Sequence, residues 1–198
     1  MNLKKLVLAS GNRGKLNELS DLLQNLNFQV YSQAELGVTE VSETGTTFVE
    51  NAIIKARNAA QHTGFAALAD DSGIEVDALD GAPGVYSARF SGDDATDQKN
   101  NALLVEKLRG VPMAERTARY RAVIVFMRHA TDPSPIICEG SWEGLIQLES
   151  QGSGGFGYDP HFFLPEIGCT SAELSAEEKN SLSHRGQALH QLIKRLQG

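Results

Sequence analysis

Ala66-Ala67-Leu68-Ala69-Asp70-Asp71-Ser72-Gly73 is a small apolar run that ends in two adjacent carboxylates, a hydroxyl and a glycine. The apolar residues predict a buried strand, with the acids at its C-terminal edge. In α/β proteins that edge is where ligands bind, and paired carboxylates there can hold Mg²⁺ against phosphate oxygens. The same residues also make an ordinary solvated turn, since Asp, Ser and Gly are the commonest turn formers. Which reading holds depends on the partners supplied by the rest of the chain.

Downstream, the alternation in Ile74-Glu75-Val76-Asp77-Ala78 predicts a further strand with one face in the core. The Gly- and Pro-punctuated stretch from Asp80 to Phe90 predicts an irregular loop around Tyr86 and Arg89. Upstream, Thr47-Phe48-Val49-Glu50 fits a capping box, and Phe48, Val49, Ala52, Ile53, Ala56 and Ala60 give the helix that follows an apolar face. Asn51 and Lys55 lie four apart on one side of it, within reach of a single ligand or of solvent. Before this helix, Glu40 and Glu43 offer carboxylates in a loop.

At the amino terminus, Lys5-Leu6-Val7-Leu8-Ala9 reads as a strand buried on both faces, and Phe28-Gln29-Val30-Tyr31 as its successor. Between them, Ser10-Gly11-Asn12-Arg13-Gly14-Lys15 leads into a helix whose leucines recur at helical spacing from Leu16 to Leu26. Such a loop aims backbone N–H groups at an anion on the helix N-terminus, and Lys15 adds positive charge. The spacing matches neither a Walker A loop nor Gly-x-Gly-x-x-Gly, so an ordinary strand-to-helix turn also fits it.

In the second half, a helix is predicted over about Asp94 to Leu108. Arg119–Met127 is the strongest strand, and Ile136–Gly140 and Leu145–Leu148 read as two more, pairing antiparallel in a mixed sheet. Gly152-Ser153-Gly154-Gly155-Phe156-Gly157-Tyr158-Asp159-Pro160 surrounds two aromatic residues with glycine. It suits either a close backbone approach with a ring exposed to stack on a purine, or a tight turn with both rings in the core. Ser175-Ala176-Glu177-Glu178 caps a helix carrying Lys179, Ser183-His184-Arg185-Gly186 interrupts it, and an apolar stripe resumes from Ala188 to Leu196.

The chain has 198 residues, a formal net charge of −7 and a pI near 5.2. That length supports one domain, or one domain with two lobes, with a core large enough to need no disulfide. The acidic balance argues against a nucleic-acid polymer as partner, although a local basic pocket can still take one nucleotide. Cys138 and Cys169 lack metal-ligand spacing, no secretory leader is recognisable, and no apolar run approaches the roughly 20 residues of a membrane span. A cytoplasmic protein with free thiols and no membrane contact is expected.

Six motifs in order, Ser10-Gly11-Asn12-x-x-Lys15, Thr47-Phe48-x-Glu50-Asn51-Ala52-x-x-Lys55-Ala56, Ala69–Gly73, Gly81-Ala82-Pro83-Gly84-x-Tyr86-Ser87-Ala88-Arg89, Gly154–Pro160 and Ser183–Gly186, closely resemble the Ham1, or inosine triphosphatase, family of purine nucleoside triphosphate pyrophosphatases. The likeness covers nearly the whole chain and is strongest to bacterial members acting on dITP and XTP. It implies an elongated, two-lobed α/β fold with a mixed sheet and a central cleft, a single pyrophosphatase domain over residues 1–198, and a homodimer. It also implies Mg²⁺-dependent hydrolysis of ITP, dITP, XTP and dXTP to the monophosphate and pyrophosphate.

Carried over motif by motif, Ser10, Gly11, Asn12, Arg13, Gly14 and Lys15 would hold the triphosphate together with Lys55. Asp71 would be the catalytic acid group at metal and water, with Glu43 the second metal carboxylate and Ser72 touching substrate. Phe156, Gly157, Tyr158, Asp159, Lys179, His184 and Arg185 would line the nucleotide pocket. Where relatives often carry two adjacent acids before Thr44, this chain has Ser42-Glu43. A nucleotide-binding regulator would keep the glycine loops without needing paired acids, whereas a metal-dependent nucleotide-sugar transferase would need a second substrate.

Overall fold

The structure is a computed structural model and describes residues 3–10, 23 and 26–197. Its seven strands are β1 (Lys4–Leu8), β2 (Phe28–Ser32), β3 (Ala66–Val76), β4 (Thr117–Met127), β5 (Ile136–Ile146), β6 (Phe162–Leu164) and β7 (Cys169–Thr170), paired in the order β2-β1-β3-β4-β5-β6-β7. β1 runs parallel to β2 and β3, whereas β6 is antiparallel to β5 and β7, so the sheet is mixed, as the sequence predicts. The described helices used below are α1 (Phe48–Thr63), α2 (Asp97–Lys107), α3 (Ala176–Leu182) and α4 (His184–Gln197).

The chain divides into two compact units. One comprises Met1–Asp71, Ala122–Glu139 and Ala188–Gly198, and the other Ser72–Arg121 and Gly140–Gln187. In the first, alternation along the strands feeds two apolar layers. Leu6, Leu8, Leu68, Ile124 and Phe126 pack with Leu189 and Leu192 of α4, while Val7, Ala9, Ala67, Ala69, Val123 and Val125 pack with Ala52, Ala56, Ala59 and Ala60 of α1. Burial on both faces explains why β1 and the centre of β4 are almost continuously apolar. The four alanines keep α1 close to the sheet, and each fully buried leucine contributes about 1.5–3 kcal/mol. In the second unit, Ile74, Val76, Leu104, Leu108, Tyr120, Trp142, Ile146, Tyr158 and Phe162 form the core.

Two expectations about the strands are corrected. β3 is one strand of 11 residues rather than a strand, an acidic loop and a second strand. The phase of Leu68 and Asp70 is buried again at Ile74 and Val76, with only Ser72 exposed between them, so sheet pairing on a largely buried surface overrides the turn preference of Asp-Asp-Ser-Gly. β5 is likewise continuous, because Cys138, Gly140, Trp142 and Ile146 keep one buried phase through the stretch read as a break. The capping boxes at Thr47/Glu50 and Ser175/Glu178 both form, and Ser183, in extended conformation, separates α3 from α4. Among the described residues no helix is long and apolar enough to cross a membrane.

Candidate active site

Strand alternation decides what the two adjacent acids can do. Successive side chains in a strand point to opposite faces. Asp71 therefore shares the face of Ala67 and Ala69, which α1 covers, whereas Asp70 shares the face of Leu68 and is 8% exposed. The expectation that Asp70 and Asp71 form a pair is corrected accordingly. The acid that joins Asp71 is Glu43, brought in from the loop before α1.

Lys55, projecting from the middle of α1, donates from Nζ to Glu43 Oε1 at 2.7 Å and to Asp71 Oδ1 at 2.9 Å. Burial lifts the Asp71 carboxyl above the ordinary aspartate range, the Lys55 ammonium pulls it back, and the charge of Glu43 adds to the rise. For Lys55, burial works against the ammonium, but Asp71 and Glu43 together outweigh it and leave its pKa raised. Two carboxylates on one ammonium account for the rise at Lys55, whereas at Asp71 burial outweighs the half-shared ammonium. Within this trio two negative charges meet one positive.

The loop carrying Glu43 is pinned by α1 itself. Glu50 Oε2 accepts from the backbone N–H and the hydroxyl of both Thr46 and Thr47, at 2.8 to 3.0 Å. Asn51, wholly buried, accepts the Gly45 N–H on Oδ1 at 2.8 Å. A side chain on Gly45 would collide with the Glu50 side chain at 2.6 Å and Asn51 Oδ1 at 2.7 Å, so glycine lets the loop lie flat on the helix start. Among the described residues the Asn51 NH2 group makes no hydrogen bond of good geometry, yet it lies near enough to Asp71 to lower that acid's pKa. The capping motif announced the helix; nothing in it announced that the same two residues hold the acidic loop.

The two groups here that could ligate a metal, the Glu43 and Asp71 carboxylates, are hard oxygen donors, and among the described residues no cluster of three or more His, Cys, Asp or Glu side chains suits a metal ion. That donor set fits Mg²⁺, which is commonly bound by one or two carboxylates with substrate phosphates completing its shell. It does not fit zinc, which prefers nitrogen and sulfur.

A second constellation lies wholly within the other unit. Phe156 is 70% exposed, and Lys179 of α3 places Nζ 4.6 Å from its ring centroid. Lys179 also pairs with Asp159 Oδ2, the oxygen that accepts the Phe156 N–H at 2.8 Å. Asp159 Oδ1 accepts from Ser171 Oγ at 2.9 Å and from the Tyr120 hydroxyl at 3.3 Å. Burial, reinforced by the Asp159 charge, drives the Tyr120 phenol well above its usual range, so it stays a donor. His184 stacks on the Tyr120 ring, with centroids 4.9 Å apart and planes 10° from parallel. Gly155, at φ +75°, leaves the space that the Asp159 carboxylate fills, where a Cβ would overlap it.

Glu43, Lys55 and Asp71 are thus brought together in one unit, and Phe156, Asp159, Lys179 and His184 are linked through Tyr120 in the other. Arg185 is half-buried in the first turn of α4, Ser72 is exposed beside Asp71, and Ser10 is half-buried just beyond β1. Gly11, Asn12, Arg13, Gly14 and Lys15 lie outside the described residues. Of the aromatic pair only Phe156 is exposed. Tyr158 sits in the core, its hydroxyl donating to the Ser87 carbonyl at 2.7 Å and its pKa raised by burial. The sequence places Tyr120 in a strand without a role; a tyrosine in a buried phase needs a partner for its hydroxyl, and that need is the signal for its place here.

A dITP/XTP pyrophosphatase of Vibrio parahaemolyticus is 59% identical over 98% of this chain and 97% of its own length, and the dITP/XTP pyrophosphatase of Escherichia coli O157:H7 is 57% identical over 96% and 97%. A HAM1 protein structure from Coxiella burnetii superposes with a TM-score of 0.95 at 49% identity, covering 98% of this chain and 99% of that one. The model of the Ham1 family matches residues 6–195, and with relatives this similar over nearly their full length, the chain belongs to the Ham1 family.

Proposed function

We propose that this chain hydrolyses deaminated purine nucleoside triphosphates, dITP and ITP with XTP and dXTP, to the monophosphate and pyrophosphate, and thereby removes them from the nucleotide pool. The relatives named dITP/XTP pyrophosphatase support the substrate class. The observation that carries the chemistry is the half-buried trio in which Glu43 and Asp71 share the ammonium of Lys55.

In this reading the oxygen of a water molecule attacks phosphorus, the α–β phosphoanhydride bond breaks, and pyrophosphate leaves. Asp71, whose raised pKa makes it a better base than an ordinary aspartate, accepts the proton released by the water. Lys55 neutralises charge on the phosphate oxygens, and Ser10 to Lys15 supply backbone N–H groups and a second ammonium. Asp71 and Glu43 would hold Mg²⁺, which when bound neutralises phosphate charge and lowers the pKa of water.

Phe156 stacks on the purine, with Lys179 beside the ring. His184 and Arg185 offer donors to the 6-oxo group of hypoxanthine or xanthine. Adenine presents an amino donor there, which leaves buried polar groups unpaired and is the kind of mismatch that discriminates strongly. The enzyme acts as a cytoplasmic homodimer. The test is pyrophosphate release from ITP, XTP and ATP with and without Mg²⁺: ITP and XTP are expected to exceed ATP by orders of magnitude, and chelation to abolish turnover. Comparable kcat/KM for ATP and ITP would overturn the base assignment, and activity surviving exhaustive chelation the metal assignment.

A further inference from the structure

Helix α2 grips the loop that carries Phe156. Asp97, in the first turn, accepts the Gly157 N–H on Oδ2 at 2.7 Å, and Asn101, one turn later on the same face, donates from Nδ2 to the Gly157 carbonyl at 2.8 Å. Both backbone polar groups of the residue after Phe156 are therefore held by side chains of one helix. The preceding amide, the Phe156 N–H, is taken by Asp159.

The helix is a firm support. Asn100, 3% exposed, accepts the backbone N–H and the hydroxyl of Ser91 and donates to the carbonyls of Ser87 and Ala88. The Tyr158 hydroxyl ends on that same Ser87 carbonyl. Asn101 adds a telling detail: its Oδ1 is buried with no hydrogen-bond partner among the described residues. Burying that acceptor is unfavourable, and the one side-chain bond set against it is the Nδ2 donation to Gly157.

We propose that Asp97 and Asn101 are positioning residues for purine recognition, holding the Gly157 backbone so that the exposed face of Phe156 is presented to the base. The proposal rests on the reading of Phe156 as the stacking ring. Neither residue enters the chemistry at phosphorus, so their loss acts on substrate affinity and spares turnover.

The experiment is steady-state ITP hydrolysis by Asn101→Ala, Asp97→Ala, Asp97→Asn and Phe156→Ala, and by Asn101→Ala in the Phe156→Ala background. Asn101→Ala and Asp97→Ala are each expected to raise KM about 3- to 10-fold, the scale of one hydrogen bond, with kcat within about twofold of the parent. Asp97→Asn keeps an acceptor and should stay close to the parent. In the Phe156→Ala background, Asn101→Ala should add less than about twofold to KM, because the ring through which it acts has gone.

Asp97 is exposed, so its variants report even where Asn101→Ala folds poorly. An unchanged KM in Asp97→Ala overturns the proposal. So does an equal rise in KM from Asn101→Ala with and without Phe156. If Phe156→Ala itself leaves KM unchanged, the stacking assignment fails and the proposal with it, an outcome distinct from a clamp that fails while Phe156 matters.

Discussion

Replacing Lys55 by methionine removes the ammonium that Glu43 and Asp71 share while keeping much of the side chain's length and flexibility. Asp71 loses both contributions from Lys55 that lower its pKa, whereas the Glu43 charge that raises it remains. The side chains are only 18% (Lys55), 27% (Glu43) and 12% (Asp71) exposed, so solvent screens the two carboxylates weakly. Breaking a fully buried pair costs about 3–5 kcal/mol and an exposed one about 0–1, which sets the loss here near ~2 kcal/mol.

For a chain of this size that is a drop in Tm of about 4–8 °C. The sign with pH follows from linkage. An acid whose folded-state pKa lies above its unfolded value penalises the fold when ionised, and the penalty fades as pH falls through the folded pKa toward the unfolded one. The deficit of Lys55→Met, measured by calorimetry in chelator, should therefore be largest from neutral to mildly alkaline pH, shrink on acidification, and shrink again where the Lys55 ammonium of the parent itself deprotonates. If Glu43 and Asp71 hold Mg²⁺, millimolar Mg²⁺ should raise the Tm of the variant more than that of the parent. Equal melting at pH 8, or a deficit that ignores both acid and Mg²⁺, would refute the account of the trio.

Asp71→Asn keeps size and hydrogen-bonding reach but removes the base, so kcat for ITP should fall about 10²- to 10⁴-fold while affinity for ITP changes much less, as read by single-turnover kinetics and equilibrium binding at saturating Mg²⁺. Turnover within about threefold of the parent would mean that Asp71 is not the base. Sedimentation at micromolar concentration should show a homodimer, and a monomer alone would remove that assignment.

Most of the fold is legible in local pattern because its strands and helices are cut by strong signals. Two-faced apolar runs mark β1 and β4, capping boxes open α1 and α3, and the Ser183 interruption separates α3 from α4. The errors have one cause. At Asp70–Gly73 and again at Ser141–Gly144, residues that favour turns sit in strands whose buried phase continues on both sides. Local propensity amounts to a few tenths of a kcal/mol per residue there, and the pairing of a whole strand outweighs it. The short β6 and β7 left no readable period, since 3 and 2 residues are too few to show alternation.

Residue spacing alone makes the site legible as a set of residue types, and only the family resemblance joins Asp71 to Glu43. A motif quotes neighbours along the chain, and in a strand adjacent residues face apart, so Asp70-Asp71 looked like a pair. What joins Asp71 comes from 28 and 16 positions away, the loop acid Glu43 and the helical Lys55. That meeting follows from two facts separately visible in the sequence: Ala52, Ala56, Ala59 and Ala60 bring α1 close to the sheet, and Asp71 continues the phase of Ala67 and Ala69 on the face that α1 covers. Had β3 been read as one strand, the alternation would have separated Asp70 from Asp71 and sent Asp71 toward Lys55. The turn-like composition of the acidic stretch concealed both consequences at once, because the residues that suit the chemistry are also the residues that break strands.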